Sequence, residues 1–487
     1  MSNINTLDLS KKVEGKLYGS NIELNGNFTF LNKASKNDIV IRHWINEKGI
    51  QIAHDKGISC LITQNPQGNS IDVAKELNLP LIVTDHIEYA TAFALNTSVN
   101  KYAKDAFKMS VTGTNGKSTT THLLFTIFSD LGFNTYTNTD AESEGNTLID
   151  PRVSDELTEF YNNNGDIEII ALEVSEVQGW DDKLMKNHSC QMINALGADV
   201  AVITNASFDH MNLVESFDEL LYEIGGAARA LTKQNKDTLL VLNNEDQNIK
   251  KMSEIVENNS NVKVMYFGDY DSSNLLDISY KENVGIFSKD KLYIKYDDLP
   301  FTSYHFIQDI MAAIAVCEYK ELNKYDVISS LKNYKPLARR FIKLRENPVI
   351  IDDFAHNPSG IHLTIENGAK LGEHLYVIDA IRGSRGDDIN EEIAESLVEV
   401  LANRENYSLI LTTSTDVVNH LNTVTDSELR VFTNVLKENS ISYELYDTLE
   451  ESLISTFNHA NESDVILLLG AQGMDPARNL LEQNDII

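Results

Sequence analysis

The stretch SVTGTNGKSTTTHLLFTIF, residues 110–128, sets one lysine, Lys117, between a glycine turn and a run with a helical start. A loop that wraps phosphate needs small residues, so that backbone N–H groups can turn inward. It also needs a following helix whose N-terminus carries partial positive charge. Gly113 and Gly116 supply the turn around Thr114 and Asn115, and Lys117 can meet the outer phosphates. Ser118 or Thr119 can offer a hydroxyl to Mg2+. The general pattern encloses four residues between its glycines, whereas Gly113 and Gly116 enclose two. The loop is therefore a shortened variant, and a plain strand-to-helix turn is the competing reading.

Two further residues carry chemistry that suits such a loop. Glu173 ends the apolar run IIALEVSE, and a carboxylate at a strand's C-terminal end beside a phosphate loop can complete an Mg2+ site. His210, in TNASFDHMN, follows the apolar run ADVAVI, where an imidazole could ligate a metal or contact phosphate. Taken singly, such a glutamate is more often a solvated strand end, and such a histidine is usually structural or exposed.

The elements that must position these residues are short apolar strands separated by helical segments. ISCLIT and PLIVT flank SIDVAKELN in the first hundred residues. IEIIALEVS, ADVAVITN and DTLLVLNN are continuous apolar runs, the signature of a parallel sheet buried on both faces. A third group begins at NPVIIDDFAHNPSG and continues through HLYVIDAIRG, YSLILTTS and DVILLLG. The expected architecture is three α/β domains in series, at residues 1–100, 101–337 and 338–487, with a break near YKPLARR, where Pro336 interrupts a helix.

Charge narrows the partners. Against 41 lysines and arginines stand 73 aspartates and glutamates, a net −32, so the field repels nucleic acid and anionic membranes. No run approaches the roughly 18 apolar residues of a membrane span, and the first residues lack a signal pattern. Cys60, Cys190 and Cys317 are widely spaced without metal-ligand spacing and read as buried thiols of a cytoplasmic protein.

In order, VTGTNGKSTTTHLL, LEVSE, ITNASFDHMN and IDDFAHNPSG resemble the Mur ligase superfamily, over roughly residues 110–386. The resemblance implies a three-domain fold with a central phosphate-loop domain and a Rossmann-like C-terminal domain. It implies an ATP-dependent ligase, in which a substrate carboxylate takes the γ-phosphate of ATP and an amine then displaces phosphate to form an amide. By resemblance, Lys117 grips the β- and γ-phosphates, Ser118 binds Mg2+, and Glu173 and His210 hold metal. Asp353, His356 and Asn357 match the motif that meets the nucleotide from the C-terminal domain, and Arg340 stands where the family often has Gly-Arg. Arg385 and Asp387 in GSRGDD resemble a pattern that sets a positive charge near the phosphates.

The chain also departs from the family. No lysine lies between His210 and Lys233, where many members carry a carbamylated lysine bridging metals; Glu223 is a possible stand-in. Asp309 occupies the place of the adenine-contacting asparagine, with Gln308 competing for that role. The DNPR substrate motif is missing, LTTSTDVV standing in its region. The first hundred residues resemble the uridine-nucleotide-binding domain of the MurE/MurF type, and LEVSEVQGWDDKLMKNH resembles the MurE-like archaeal ligases that build pseudomurein peptides. The resemblance thus implies a UDP-linked peptide precursor and an amino acid as partners, for a monomer or weak oligomer. A cyanophycin-synthetase-like ligase and a non-catalytic nucleotide-binding regulator are the alternatives.

Overall fold

A computed structural model describes residues 4–139, 151–180, 183–207, 213–272, 276–301, 303–420 and 422–487. The chain divides into two compact units, Met1–Lys335 and Pro336–Ile487.

The first unit opens with a five-stranded sheet of β1 (Gly15–Tyr18), β2 (Phe28–Thr29), β3 (Ile39–Ile45), β4 (Cys60–Pro66) and β5 (Leu81–Thr84). Their order is β1-β5-β4-β3-β2, with β1 antiparallel to β5 and the rest parallel. Ile39, Ile41, Ile62 and Ile82 pack on one face, against the helix α1 (Ile87–Tyr102), while Val40, Leu61 and Leu81 pack on the other. Period-2 alternation filled by apolar residues on both sides is why these strands read as continuous runs.

The same unit continues into the larger sheet. Its strands are β6 (Phe107–Thr112), β7 (Thr135–Thr137), β8 (Ile169–Glu173), β9 (Val200–Ile203), β10 (Thr238–Asn243) and β11 (Val262–Asp269), then β12 (Ile278–Lys281), β13 (Gly285–Ser288) and β14 (Lys291–Lys295). The order is β14-β13-β12-β11-β10-β9-β6-β8-β7. Strands β7 to β12 and β6 run parallel, and β13 and β14 extend the edge as antiparallel hairpin strands. All residues of β8, β9 and β10 are buried. Each fully buried valine, leucine or isoleucine contributes about 1.5–3 kcal/mol, so the register of these strands is strongly specified. The consequence for function is positional: β6, β8 and β9 are neighbours, and their C-terminal ends share one edge.

The second unit holds a six-stranded sheet: β15 (Ile342–Glu346), β16 (Val349–Asp353), β17 (Leu375–Ala380), β18 (Tyr407–Thr412), β19 (Tyr443–Tyr446) and β20 (Val465–Leu469), in the order β15-β16-β20-β17-β18-β19. Only β15 is antiparallel to its neighbour. This is the parallel sheet expected of a Rossmann-like domain, and the multi-domain α/β fold expected from the sequence is the one observed.

One residue of this sheet breaks the apolar pattern. Asp379, on β17, sits on the face shared with Val377 and Ile381, between Leu411 and Leu469. Its Oδ2 has no hydrogen-bond partner among the described residues, and burial pushes the carboxyl from an ordinary 3.8 up to about 7. The folded chain therefore holds a proton that the unfolded chain releases. Stability from this group is present below about pH 4 and is lost as pH rises toward 7. Asp379→Asn should remove that loss, a relative gain above neutral pH on the order of 4 kcal/mol. Thermal midpoints of both proteins across pH 4–8 test this; parallel curves would show that Asp379 does not titrate in this window.

Candidate active site

The loop between β6 and the helix α2 (Lys117–Asp130) is built from glycines at two strained positions. Gly113 has φ +118° and Gly116, the N-cap, has φ +84°, both in the region that side chains rarely enter. A Cβ at Gly113 would stand 2.3 Å from Thr204 Oγ1, and one at Gly116 would stand 2.2 Å from Asp309 Oδ1. Because Gly116 offers no side chain to cap α2, the first-turn N–H groups and the dipole face whatever occupies the loop.

Residues after β9 hold the loop in shape. Thr114 N–H donates to Asn205 O at 3.0 Å, and Asn115 N–H to Asn205 Oδ1 at 3.0 Å. Asn205 Nδ2 and Thr204 Oγ1 both donate to Asn115 O, at 2.9 and 2.6 Å. Lys117 is held on this loop by its own carbonyls and by a carboxylate. Its Nζ donates to the carbonyls of Gly113 (2.6 Å) and Thr114 (2.9 Å) and lies 2.9 Å from Glu176 Oε2.

Of the two hydroxyls left open by the sequence, Ser118 is the one that meets Glu173. Ser118 Oγ donates to Glu173 Oε1 at 3.1 Å, and Thr139 Oγ1 donates to Glu173 Oε2 at 3.0 Å. Glu173 is itself fixed by Asn138, which accepts from its N–H at 2.8 Å and donates to its carbonyl at 3.0 Å. Thr119 is buried beside them. Hydroxyl and carboxylate oxygens are the hard donors Mg2+ prefers, and it commonly takes few protein ligands, so this pair fits such an ion. Among the described residues no group of three or more His, Cys, Asp or Glu side chains is gathered as a metal site. His210 lies outside the described residues.

Asp309 lies on the helix α3 (Tyr304–Tyr319) and is buried against the loop, accepting from Thr120 Oγ1 at 3.1 Å. Gln308 instead donates to Glu245 at 2.9 Å, beside Tyr304, whose hydroxyl donates to the same oxygen. Glu223, the possible stand-in for the bridging lysine, accepts from Asn187 N–H at 3.0 Å, ahead of the helix His188–Leu196.

In the second unit, Asp353 ends β16 and accepts from Ala355 N–H at 2.9 Å. Burial pushes its carboxyl up to about 6, against the opposing pull of Arg340. His356 Nδ1 lies 2.8 Å from Phe354 O, and Asn357 caps the helix Pro358–Gly368 by accepting from Gly360 N–H at 2.8 Å. The place where the resemblance has glycine is Arg339, at φ +57°. Its guanidinium is buried on Asp352, Asp475 and the carbonyls of Gly470 and Ala471, contacts that offset a conformational cost of about 1–2 kcal/mol. Arg340 is less buried and lies over the Phe354 ring, 4.9 Å from its centroid.

The turn around Arg385 is gathered by a residue the motifs do not include. Glu428 accepts from the N–H groups of Ser384 (3.2 Å), Arg385 (2.8 Å), Gly386 (2.8 Å) and Thr425 (2.8 Å). Burial alone would raise its carboxyl, but these donors hold it below the usual range. Asp387, in the first turn of the helix Asp387–Leu401, accepts from Ser427 Oγ at 2.7 Å. Thr425-x-x-Glu428 is a capping box and could have been read from sequence. Glu176 and Asn205 lie within LEVSE and ITNASFDHMN without being singled out there, and Thr139 lies in none of the motifs.

Fold and loop together define a multi-domain α/β protein with a glycine-rich strand-to-helix loop that carries a lysine at the edge of its central sheet. A model of the Mur ligase middle domain matches residues 111–317, and one of the Mur ligase glutamate ligase domain matches residues 339–472. The chain belongs to the Mur ligase superfamily of ATP-dependent acid–amino-acid ligases. A UDP-N-acetylmuramate–L-alanine ligase of Ligilactobacillus salivarius (strain UCC118) is 28% identical over 208 residues, which span 41% of this chain and 44% of that relative. The chain thus spans about half the length of that curated relative. Among solved structures, MurF from Acinetobacter baumannii is similar with TM-score 0.68 at 16% identity, over 100% of this chain and 99% of that one. A pseudomurein peptide ligase type C from Methanothermus fervidus is similar with TM-score 0.53 at 18% identity, over 91% and 100%. Likeness at this identity concerns the fold and does not single out a MurE-like or an archaeal member. No helix among the described residues is long and apolar enough to cross a membrane.

Proposed function

We propose that this chain is an ATP-dependent ligase that joins an amino acid to a UDP-linked cell-wall peptide precursor, of the pseudomurein type in the finer reading. The observation that carries the proposal is the cluster on one sheet edge: Lys117 on the loop, Ser118 on Glu173, and Glu176 beside them. Support for a UDP-linked acceptor comes from the likeness to a UDP-N-acetylmuramoylalanyl-D-glutamyl-2,6-diaminopimelate–D-alanyl-D-alanyl ligase of Acinetobacter baumannii, which includes the first hundred residues, and from the activity of the L. salivarius relative.

In this reading the acceptor carboxylate takes the γ-phosphoryl group, ADP leaves, and the amino acid's amine displaces phosphate to form the amide. Lys117 and the first-turn N–H groups of α2 stabilise charge on the transferring phosphoryl group. Ser118 and Glu173, with His210 as a further expected ligand, would hold Mg2+, which when bound neutralises charge on the phosphate oxygens. Thr114, Asn115 and Thr119 shape the loop. Asp309, Arg340, Asp353, His356 and Asn357 belong to the proposed nucleotide site, and Arg385 to the catalytic set.

The deciding experiment screens amino acids for ADP release with a UDP-linked peptide and with the same peptide lacking UDP. ADP release that needs both the UDP-linked acceptor and one amino acid is the expected result. Release with the plain peptide alone would favour a cyanophycin-synthetase-like chain extension. Nucleotide binding without release under any pairing would favour a non-catalytic regulator.

A further inference from the structure

Glu176 lies three residues beyond Glu173, has a fully buried side chain, and faces Lys117 Nζ at 2.9 Å. We propose that Glu176 is a positioning residue for ATP, holding the Lys117 ammonium on the phosphate loop and remaining paired with it while a triphosphate is bound. The inference rests on the ATP-using reading above.

An ammonium carries three N–H donors. In this structure Lys117 donates to the carbonyls of Gly113 and Thr114 and forms an ion pair with the Glu176 carboxylate. A phosphate oxygen that approaches Nζ competes with these partners. Releasing a neutral carbonyl at the loop is the smaller loss. Releasing Glu176 would strip a counter-charge from a side chain that is 0% exposed, where water does not replace it. The phosphate therefore takes the place of a carbonyl, and Lys117 bridges Glu176 and the phosphate.

Two effects of opposite sign follow. A carboxylate held behind the lysine weakens the ground-state attraction for a triphosphate. The same carboxylate fixes the ammonium where charge develops during transfer, which costs no reorganisation at that moment. Glu176→Gln keeps the shape and removes the charge, so nucleotide should bind more tightly while turnover slows.

The test measures ADP affinity, KM for ATP, kcat and thermal midpoint on the full chain with Mg2+. Expected for Glu176→Gln is a fall of about three- to tenfold in Kd for ADP and in KM, with kcat down about tenfold or more. Glu176→Asp, which keeps the charge on a shorter arm, should retain the wild-type Kd and lose only kcat. Lys117→Met leaves the carboxylate without this ammonium and should lower the thermal midpoint. The double variant Lys117→Met/Glu176→Gln should regain it, and this pair decides the matter if Glu176→Gln alone does not fold. Wild-type Kd and kcat in Glu176→Gln, or a double variant melting no higher than Lys117→Met, would overturn the proposal alone. A wild-type chain that binds neither ADP nor ATP would overturn the ATP-using reading and this proposal with it.

Discussion

Lys117→Ala is expected to lower ATP turnover by about a thousandfold or more while the chain stays folded. Charge on the transferring phosphoryl oxygens is greatest in the transition state, and a cation already in place stabilises it without reorganising solvent. Lys117 meets that condition because its side chain is only 16% exposed and is held at a defined point of the loop by two carbonyls and Glu176. Alanine removes the charge and leaves Glu176 facing the loop, so repulsion adds to the loss. The measurement is ADP release under saturating ATP, paired with a thermal scan to establish that the protein is intact. Turnover within tenfold of wild type, in a folded variant, would sink the phosphate-loop assignment.

The second large effect is expected at Glu173. Glu173→Gln keeps volume and retains an oxygen able to accept from Ser118 or Thr139, so its structural cost should be small. It removes the one charge that this pair of oxygen ligands offers to Mg2+. Turnover should fall about a hundred- to thousandfold, and the Mg2+ concentration for half-maximal rate should rise. Titrating Mg2+ at fixed ATP separates the two roles open to this carboxylate. An unmoved Mg2+ midpoint would make Glu173 a residue that only braces Ser118 and Thr139.

Both effects depend on a cluster that the sequence made partly visible. Glycines at 113 and 116, the lysine after them and the helical run to Asp130 are neighbours in the chain, and their geometry follows from local rules. Positive φ requires glycine, and a helix N-terminus presents its own N–H groups. Glu173 was legible for a similar reason, since the end of an apolar run marks the end of a strand.

Other members of the cluster were not legible, because chain-distant contacts set them. Asp309 stands where an adenine contact was expected, yet its carboxylate meets Thr120 and closes on Gly116. Packing of α3 against α2 decides that, and nothing in YHFIQDIMAA encodes it. In the second unit, ARRF suggested one arginine for ATP, but adjacent arginines divided the work. Arg339, in a left-handed conformation, turns inward onto Asp352 and Asp475, and Arg340 stays nearer the surface.

The sequence by itself determined several of the buried parallel strands, the glycine turn with its lysine, and the family to which the motifs belong. These rest on side-chain period, backbone sterics and residue order, which act over a few positions. Only the tertiary structure decided that Ser118 rather than Thr119 meets Glu173, and that Glu176 closes on Lys117. Those pairings come from parallel registry of β6 beside β8, which brings the two strand ends together across more than fifty residues of chain. Register is fixed by burying both faces of the sheet at once, a property of the assembled core that no single segment carries.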